Sequence, residues 1–449
     1  MTRPALILLL VLPGVVARAG ESALQPGDLP GDASFYRDNF DRIRLLLQWH
    51  AGVRFGPSRL APAESADVEF VIPDEDAAAR QVDALCRALL TAGRRGDALP
   101  DWTIHLDETL IEAVQRDFSP ATAAWAKRYA AIADDAWRQA DPDGRSLDPF
   151  ATGSGQAVAR AGKRRALLAE HTEAYGPDLL RRSIRWAGVY SVAADAPSHQ
   201  VFVHRLSDAA GENLFAFYRA RGADVPHFAL GPIVTDTWPP RDAVSVPTET
   251  AITLGVSRPV KLADEAIRVA AATRTSRLHR YRVNAHYDED QSAIVVALNE
   301  RLLEGAEVNV RLAARKVLDA ETRLPLDGNG NGRRDDEDDA LLTFSTRHTD
   351  DRTQPPAVSQ PPRELTTVRA RRVMVFSIDA IDPAGAPLQI KTVDLPKEAA
   401  FDPHTRIVRW PTTLDDVGQC RVTFRVSNGL KQTAPLAVTL SVLPDPTVP

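Results

Sequence analysis

Three features of the sequence predict a multidomain chain, with an α-rich or α+β N-terminal domain followed by two all-β sandwiches. Apolar residues recur at helical spacing through the first half, as in Val82, Leu85, Cys86 and Leu89. Beyond about Ile233 that period fades, and short β-branched runs broken by turn residues replace it. A proline cluster (Pro355, Pro356, Pro361, Pro362) then divides the β-rich half into two stretches of roughly a hundred residues, the size of one sandwich. The composition allows such an arrangement. With 449 residues, 44% hydrophobic and 25% charged, the chain can fill several cores at roughly 100–200 residues per domain.

The order of elements follows from local signals. Met1–Ala19 has a basic start at Arg3, an apolar run from Ala5 to Val16 and an Ala17-Arg18-Ala19 cleavage signal, the pattern of a secretory signal peptide. The run is too short to span about 30 Å of hydrocarbon. Pro73-Asp74-Glu75-Asp76 opens a helix carrying the Val82–Leu89 stripe. Ser119-Pro120 reads as an N-cap with proline at the first helical position, followed by a stripe of Trp125, Tyr129, Ile132 and Ala136. A helix over Lys163–Tyr175 stops at Gly176-Pro177, and another covers Asp178–Trp186. Val189–Val192, Val201–Leu206 and Leu214–Tyr218 are β-rich and predict a small meander. Trp238-Pro239-Pro240 reads as an entry linker and the later proline cluster as a stiff spacer. The predicted division is a signal peptide at 1–19, an α-rich domain at 20–232, a sandwich at 233–347, a linker at 348–363 and a second sandwich at 364–449.

Charge and cysteine count narrow the function. A net charge of −6 with pI near 6.0 argues against nucleic acid as a partner, because such binding needs a basic face that releases counterions. Two distant cysteines, Cys86 and Cys420, exclude a disulfide scaffold and a four-cysteine zinc site.

One motif carries chemistry. Residues 327–338 read DGNGNGRRDDED and match a calcium loop: Asp327, Asn329 and Asn331 stand at the first three ligand positions and Gly332 at the sharp turn. Arg333 would offer its backbone carbonyl, and Asp335 and Asp338 take the ninth and twelfth positions. Asp338 is one carbon shorter than the usual glutamate, so Glu337 or Asp339 is an alternative closing ligand. The flanks LDAETRLPL and ALLTFST are strand-like, so the expectation is a Ca2+-clamped hairpin in place of a helix pair.

The β-rich stretches also carry resemblances. VSVPTETAITLGVSRPVKL, AIVVALNERLLEGAEVNVRL and LLTFST, with the acidic turn before the last strand, resemble the bacterial Ig-like domain of surface-layer type. Val308 stands where that family has an aromatic residue, and Arg274–Tyr281 is unusually basic. IDAIDPAGAPLQI, LPKEAAFDPHTRIVRW and DDVGQCRVTFRVSNGL resemble the cadherin-like Ig domains of bacterial surface proteins. Ala384 and Ala386 replace that family's carboxylates and Asn428 an aspartate, so Asp379 and Asp382 lack the partners that a cation site there would need. Cys420 there reads as a buried small hydrophobe. The resemblances imply two Ig-like sandwiches in an exported protein, secreted or held at the cell surface. A cell-surface glycan or protein is the implied partner.

The N-terminal domain offers weak catalytic candidates. Glu170-His171-x-Glu173 reads as a solvated helix end, and His105, Asp107 and Glu108 as capping residues just ahead of a helix. Gly153-Ser154-Gly155 and Gly162-Lys163 have the wrong spacing for a phosphate loop. Cys86 reads as core, and His199 and His204, bracketing a strand, would point to opposite faces. Two functions are therefore expected. The first is a calcium-stabilised extracellular structural or adhesive protein. The alternative is a secreted hydrolase acting on polysaccharide or protein, with its catalytic residues within 20–232 and the Ig-like modules ancillary; a paired-carboxylate site there would leave no motif.

Overall fold

The computed structural model describes residues 22–24, 29, 33–55, 58–60, 75–93, 101–119, 121–124, 171, 174–176, 178–187, 198–220, 231–273, 278–329, 339–348, 354–431, 433 and 435–446. Helices dominate the N-terminal half and β-sheets the C-terminal half.

Three helices, α1 (Ala33–Ala51), α2 (Glu75–Gly93) and α3 (Asp101–Phe118), pack against one another. The predicted stripe on α2 is its buried face: Val82, Leu85, Cys86 and Leu89 are all fully enclosed. They meet Tyr36, Ile43 and Leu47 of α1 and Leu110 and Val114 of α3 in one apolar cluster. A short parallel pair, β1 (Ser22–Leu24) with β2 (Ser58–Leu60), lies beside α1. The Ser119 hydroxyl accepts the Thr122 amide at 3.2 Å, an N-cap bond. Pro120, the Trp125–Ala136 stripe and Val189–Val192 lie outside the described residues.

The meander is corrected. After α4 (Asp178–Ala187), the segments read as strands form α5 (Ser198–Ala210) and α6 (Phe215–Ala220). Val203, Leu206 and Ala209 repeat at helical spacing and are buried, so packing overrides the β-propensity of VFV. A Schellman cap ends α5: Gly211 adopts φ 71° and the Glu212 amide donates to the Ser207 carbonyl at 3.1 Å. His105, Asp107 and Glu108 lie within α3, which starts at Asp101, and so do not precede it.

The first sandwich contains β3 (Val234–Trp238), β4 (Ala243–Val246), β5 (Ile252–Val256), β6 (Val260–Leu262), β7 (Ile267–Ala272), β8 (His279–Arg280), β9 (Val283–Asp288), β10 (Ala293–Leu298), β11 (Glu307–Leu312), β12 (Val317–Asp319) and β13 (Ala340–Thr346). One sheet runs β3-β5-β10-β9 and the other β4-β13-β11-β7-β8, with β6-β12 as a side ribbon. Alternation places Val308 and Val310 of β11 inward against Ile252, Leu254 and Ile294. Trp238 ends β3, so the segment read as a linker belongs to the sandwich.

The second sandwich contains β14 (Ala357–Val358), β15 (Thr367–Arg369), β16 (Val373–Ser377), β17 (Ala380–Ile381), β18 (Gln389–Thr392), β19 (Ala400–Asp402), β20 (Ile407–Pro411), β21 (Gly418–Ser427) and β22 (Leu436–Leu443). Its sheets run β15-β22-β21-β18 and β16-β20-β19. In both sandwiches an early strand pairs parallel with the last one, β4 with β13 and β15 with β22. The proline-rich segment is not a free spacer: β14 pairs with β17, and the Gln360 amide donates to the Ala437 carbonyl at 3.2 Å.

The continuous apolar run VMVF of β16 has a structural cause, because both its faces are buried. Met374 and Phe376 enter the sandwich core, whereas Val373 and Val375, with Ile407 of β20, join the helical cluster. The N-terminal helices and the C-terminal sandwich thus share one core.

Candidate functional site

The acidic turn grows from the base of the first sandwich. Gly231 passes so close to the Pro325 carbonyl that a Cβ there would overlap it, and the Asp327 amide then donates to the Pro232 carbonyl at 2.9 Å. These contacts tie the exit from the helical domain to the start of the turn. Asp327 is buried and Asn329 half-buried. Asn331, Arg333, Asp335, Glu337 and Asp338 lie outside the described residues. Asp339 is already engaged. One of its oxygens takes the Arg311 guanidinium at 2.6 and 2.7 Å, and the other takes the Ala314 amide at 2.8 Å. Among the described residues no three His, Cys, Asp or Glu side chains form a metal-holding group.

Beside the turn, charge is buried between domains. Arg258, in the loop after β5, places Nε 2.8 Å from Asp208 on α5 and a terminal nitrogen 3.0 Å from Asp319 at the end of β12. All three side chains are buried. Burial raises the Asp208 carboxyl to about 6; Arg258 and the Ser257 hydroxyl oppose that rise, and the Asp327 charge adds to it. His204, one turn before Asp208, stacks edge-on against Phe215 at 4.5 Å. Burial, reinforced by Arg258, lowers its imidazole to about 3. His204 sits on a helix, so the two-faced strand expected around it and His199 is corrected.

A second set of charges joins the helices to the C-terminal sandwich. Arg409 of β20 grips Asp117 of α3 with two nitrogens at 2.6 and 2.7 Å, and His50 of α1 contacts the same carboxylate at 2.7 Å. Burial alone would raise the Asp117 carboxyl, but the hydrogen bonds from Arg409 and His50 outweigh it and hold it well below the usual carboxylate range. Burial also keeps His50 below its ordinary value, against the pull of Asp117. A His–Asp pair orients the base in a nucleophilic triad. Here Arg409 occupies both carboxylate oxygens, which makes the group an interdomain clamp. Arg181 of α4 reinforces it, 2.7 Å from buried Asp402 of β19 and stacked over Trp49 at 4.3 Å.

The other candidates fall into structural roles. His171 is buried against Phe217 and lies 3.1 Å from the Tyr218 hydroxyl, which corrects the solvated helix end. Cys86 is core, and burial pushes its thiol up. Cys420 is only half-buried at the edge of its core. Asp382 spends its oxygens on the Ala384 and Ala386 amides at 3.0 and 2.9 Å and on the Asn428 amide at 2.7 Å. Backbone and side-chain N–H groups thus stand where a cation would. Gly153, Ser154, Gly155, Gly162 and Lys163 lie outside the described residues.

Asp117, Asp208, Arg258 and Arg409 belong to no motif. The available signal was periodicity: Asp117 falls on the stripe of Leu110 and Val114, and Asp208 beside Leu206 and Ala209. A charge at a core position needs a partner from elsewhere.

No family model matches the chain, and no curated protein matches it. Among solved structures, the N-terminal part of the bacterial S-layer protein SbsC is similar at 12% identity and TM-score 0.24, over 91% of this chain and 78% of that one. The copper resistance protein PcoC from Escherichia coli aligns at 15% identity and TM-score 0.20, over 26% of this chain and 98% of that one. Tandem Ig repeats of Dlar align at 10% identity and TM-score 0.17, over 48% and 95%. Likeness at these scores carries no functional weight. Among the described residues no helix is long and apolar enough to cross a membrane.

Proposed function

We propose that this chain is an exported structural protein of the cell surface or extracellular space, whose Ig-like sandwiches and helical domain form one braced body, with Ca2+ held by the 327–338 turn. The observation that supports it most is the charge buried between domains. Arg258 ties α5 to the first sandwich, and Arg409 and Arg181 tie the helices to the second. Such contacts, over a shared apolar core, resist domain motion. A rigid spacer needs that resistance, and a surface glycan or protein is the partner class such a body would present itself to.

Calcium fits the electrostatics of the turn. Residues 327–339 carry six acids and two arginines. Their self-repulsion, to which the Asp327 charge acting on buried Asp208 adds, is relieved by a divalent ion, and hard oxygen ligands on a glycine-rich turn suit Ca2+. Thermal unfolding of residues 20–449 in chelator and in about 5 mM calcium tests this. With a dissociation constant of about 0.1 mM, as in extracellular modules, mass action adds about 2.3 kcal/mol. That is roughly ten degrees if the sandwich melts alone, and only a few if the docked body melts as one unit. Asp327 is buried, so Asp335→Ala is the cleaner variant, and it should abolish the shift. A wild-type melting temperature indifferent to calcium refutes the metal assignment.

A further inference from the structure

A cavity of about 290 Å³ lies between α1, the residues that follow it, and strands β16 and β20 of the second sandwich. Its volume is at the low end for small-molecule sites, enough for one six-membered ring. Leu45, Phe55 and Ile407 form an apolar wall. The polar lining is unusual for a chain of net charge −6, because it is rich in donors. Arg44 lines it from α1 with its guanidinium. Gln48, one turn later and only 4% exposed, uses its Oε1 to accept the Phe55 amide at 2.9 Å. Its carboxamide nitrogen makes no hydrogen bond among the described residues and is left for the cavity.

Ser377 supplies a hydroxyl from the end of β16. At the mouth Arg54 and Asp379 face each other at 3.3 Å, both well exposed. Arg406 lies close enough for Arg54 and Asp379 to affect its charge, while its guanidinium donates to the Ala380 carbonyl at 2.9 Å. Three guanidinium groups therefore outnumber Asp379 and the exposed Asp41 one turn before Arg44.

We propose that this cavity binds a small hydroxylated carboxylate of the size of a hexuronic acid, with its carboxylate on Arg44 and the Gln48 amide and its hydroxyls between Ser377 and Asp379. A guanidinium with an adjacent N–H donor matches the two oxygens of a carboxylate. Asp379 selects the rest of the ligand. A carboxylate at the mouth accepts hydroxyls and repels a doubly charged phosphate or sulfate. The Phe55, Leu45 and Ile407 wall covers the C–H face of a ring. The site depends on the docking of helices onto the second sandwich and not on calcium, so it goes beyond the structural role above.

The test is isothermal titration calorimetry of residues 20–449 in chelator, with galacturonate, tri-galacturonate, glucose and sulfate as probes. Galacturonate should bind; glucose and sulfate at equal concentration should not. Loss of the charged contact in Arg44→Gln should weaken binding by about tenfold or more. Ser377→Ala, at a half-buried position that tolerates truncation, should weaken it several-fold with an unchanged melting temperature. A gain for tri-galacturonate marks a polymer end as the source of the acid, and equal binding of the monosaccharide marks a free one. Absence of galacturonate binding, sulfate binding as tightly, or full affinity in both variants overturns the proposal. Because chelator is present throughout, failure here leaves the calcium assignment untouched.

Discussion

Replacing Arg409 with methionine should be among the most damaging single changes to the docked body. The Asp117 carboxylate is 7% exposed and receives nitrogens at 2.6, 2.7 and 2.7 Å, two from Arg409 and one from His50. Arg409→Met removes both guanidinium contacts and strands a buried charge with His50 alone. Breaking a buried pair from one side costs about 3–5 kcal/mol, whereas an exposed pair is worth about 0–1 kcal/mol. Arg54→Met, which opens the exposed contact to Asp379, is therefore the internal control.

The pH dependence gives a second signature. Arg409 is one of the charges that lower the His50 pKa, so its removal lets His50 protonate beside Asp117. Burial still holds the imidazole down, but its pKa then sits higher than in wild type, so the variant regains stability relative to wild type as pH falls and loses it again as pH rises. The Arg409→Met deficit should thus be smaller at pH 5.5 than at pH 8. Urea denaturation followed by tryptophan fluorescence, with Trp49 at the interface, reads both effects. In the double variant Asp117→Asn/Arg409→Met, the coupling energy should be at least about 2 kcal/mol. An Arg409→Met cost no larger than that of Arg54→Met would refute the view that this clamp holds the domains together.

The coarse architecture was legible because it rests on periodicity. The α2 stripe, the alternation of β11 and the run of β-branched residues after Ile233 each reflect a single burial face. Two errors share one cause, a local signal outweighed by tertiary contact. VFVHRL carries β-propensity, yet its Val203–Leu206–Ala209 spacing and the following Gly211 favour a capped helix. The prolines near 355–362 resemble a spacer, yet Ala357 and Val358 between them find a partner strand. The clamp residues were invisible for a different reason. Asp117 and Arg409 are 292 positions apart, and no local pattern connects them. The same holds for the cavity, where Arg44 and Gln48 of α1 meet Ser377 of β16 from a distant part of the chain.

Three further predictions follow from burial and charge. Leu85→Ala, at a fully enclosed α2 position, should cost about 2–5 kcal/mol by urea titration, with little change expected if that face were solvated. Cys86 should resist alkylation in the native protein and react only on unfolding, while half-buried Cys420 labels first; mass spectrometry of the modified peptides distinguishes them. Asp208→Asn should change the slope of stability against pH. The Asp208 carboxyl sits at about 6 in the folded protein against an ordinary 3.8. An acid raised in this way contributes stability that is complete below the unfolded value and is lost as pH rises through the folded one. The full loss is about 3 kcal/mol at 1.36 kcal/mol per unit, of which roughly 2 kcal/mol falls between pH 4 and pH 7. Asparagine does not ionise, so the variant should gain about 2 kcal/mol relative to wild type across the window, whatever constant offset comes from loss of the charged Arg258 contact. His204 works in the opposite sense over the same range, but it is present in both proteins and cancels in the difference. Parallel stability curves for Asp208→Asn and wild type from pH 4 to pH 7 would mean that the carboxyl is solvated and that α5 is not seated on the first sandwich through Arg258.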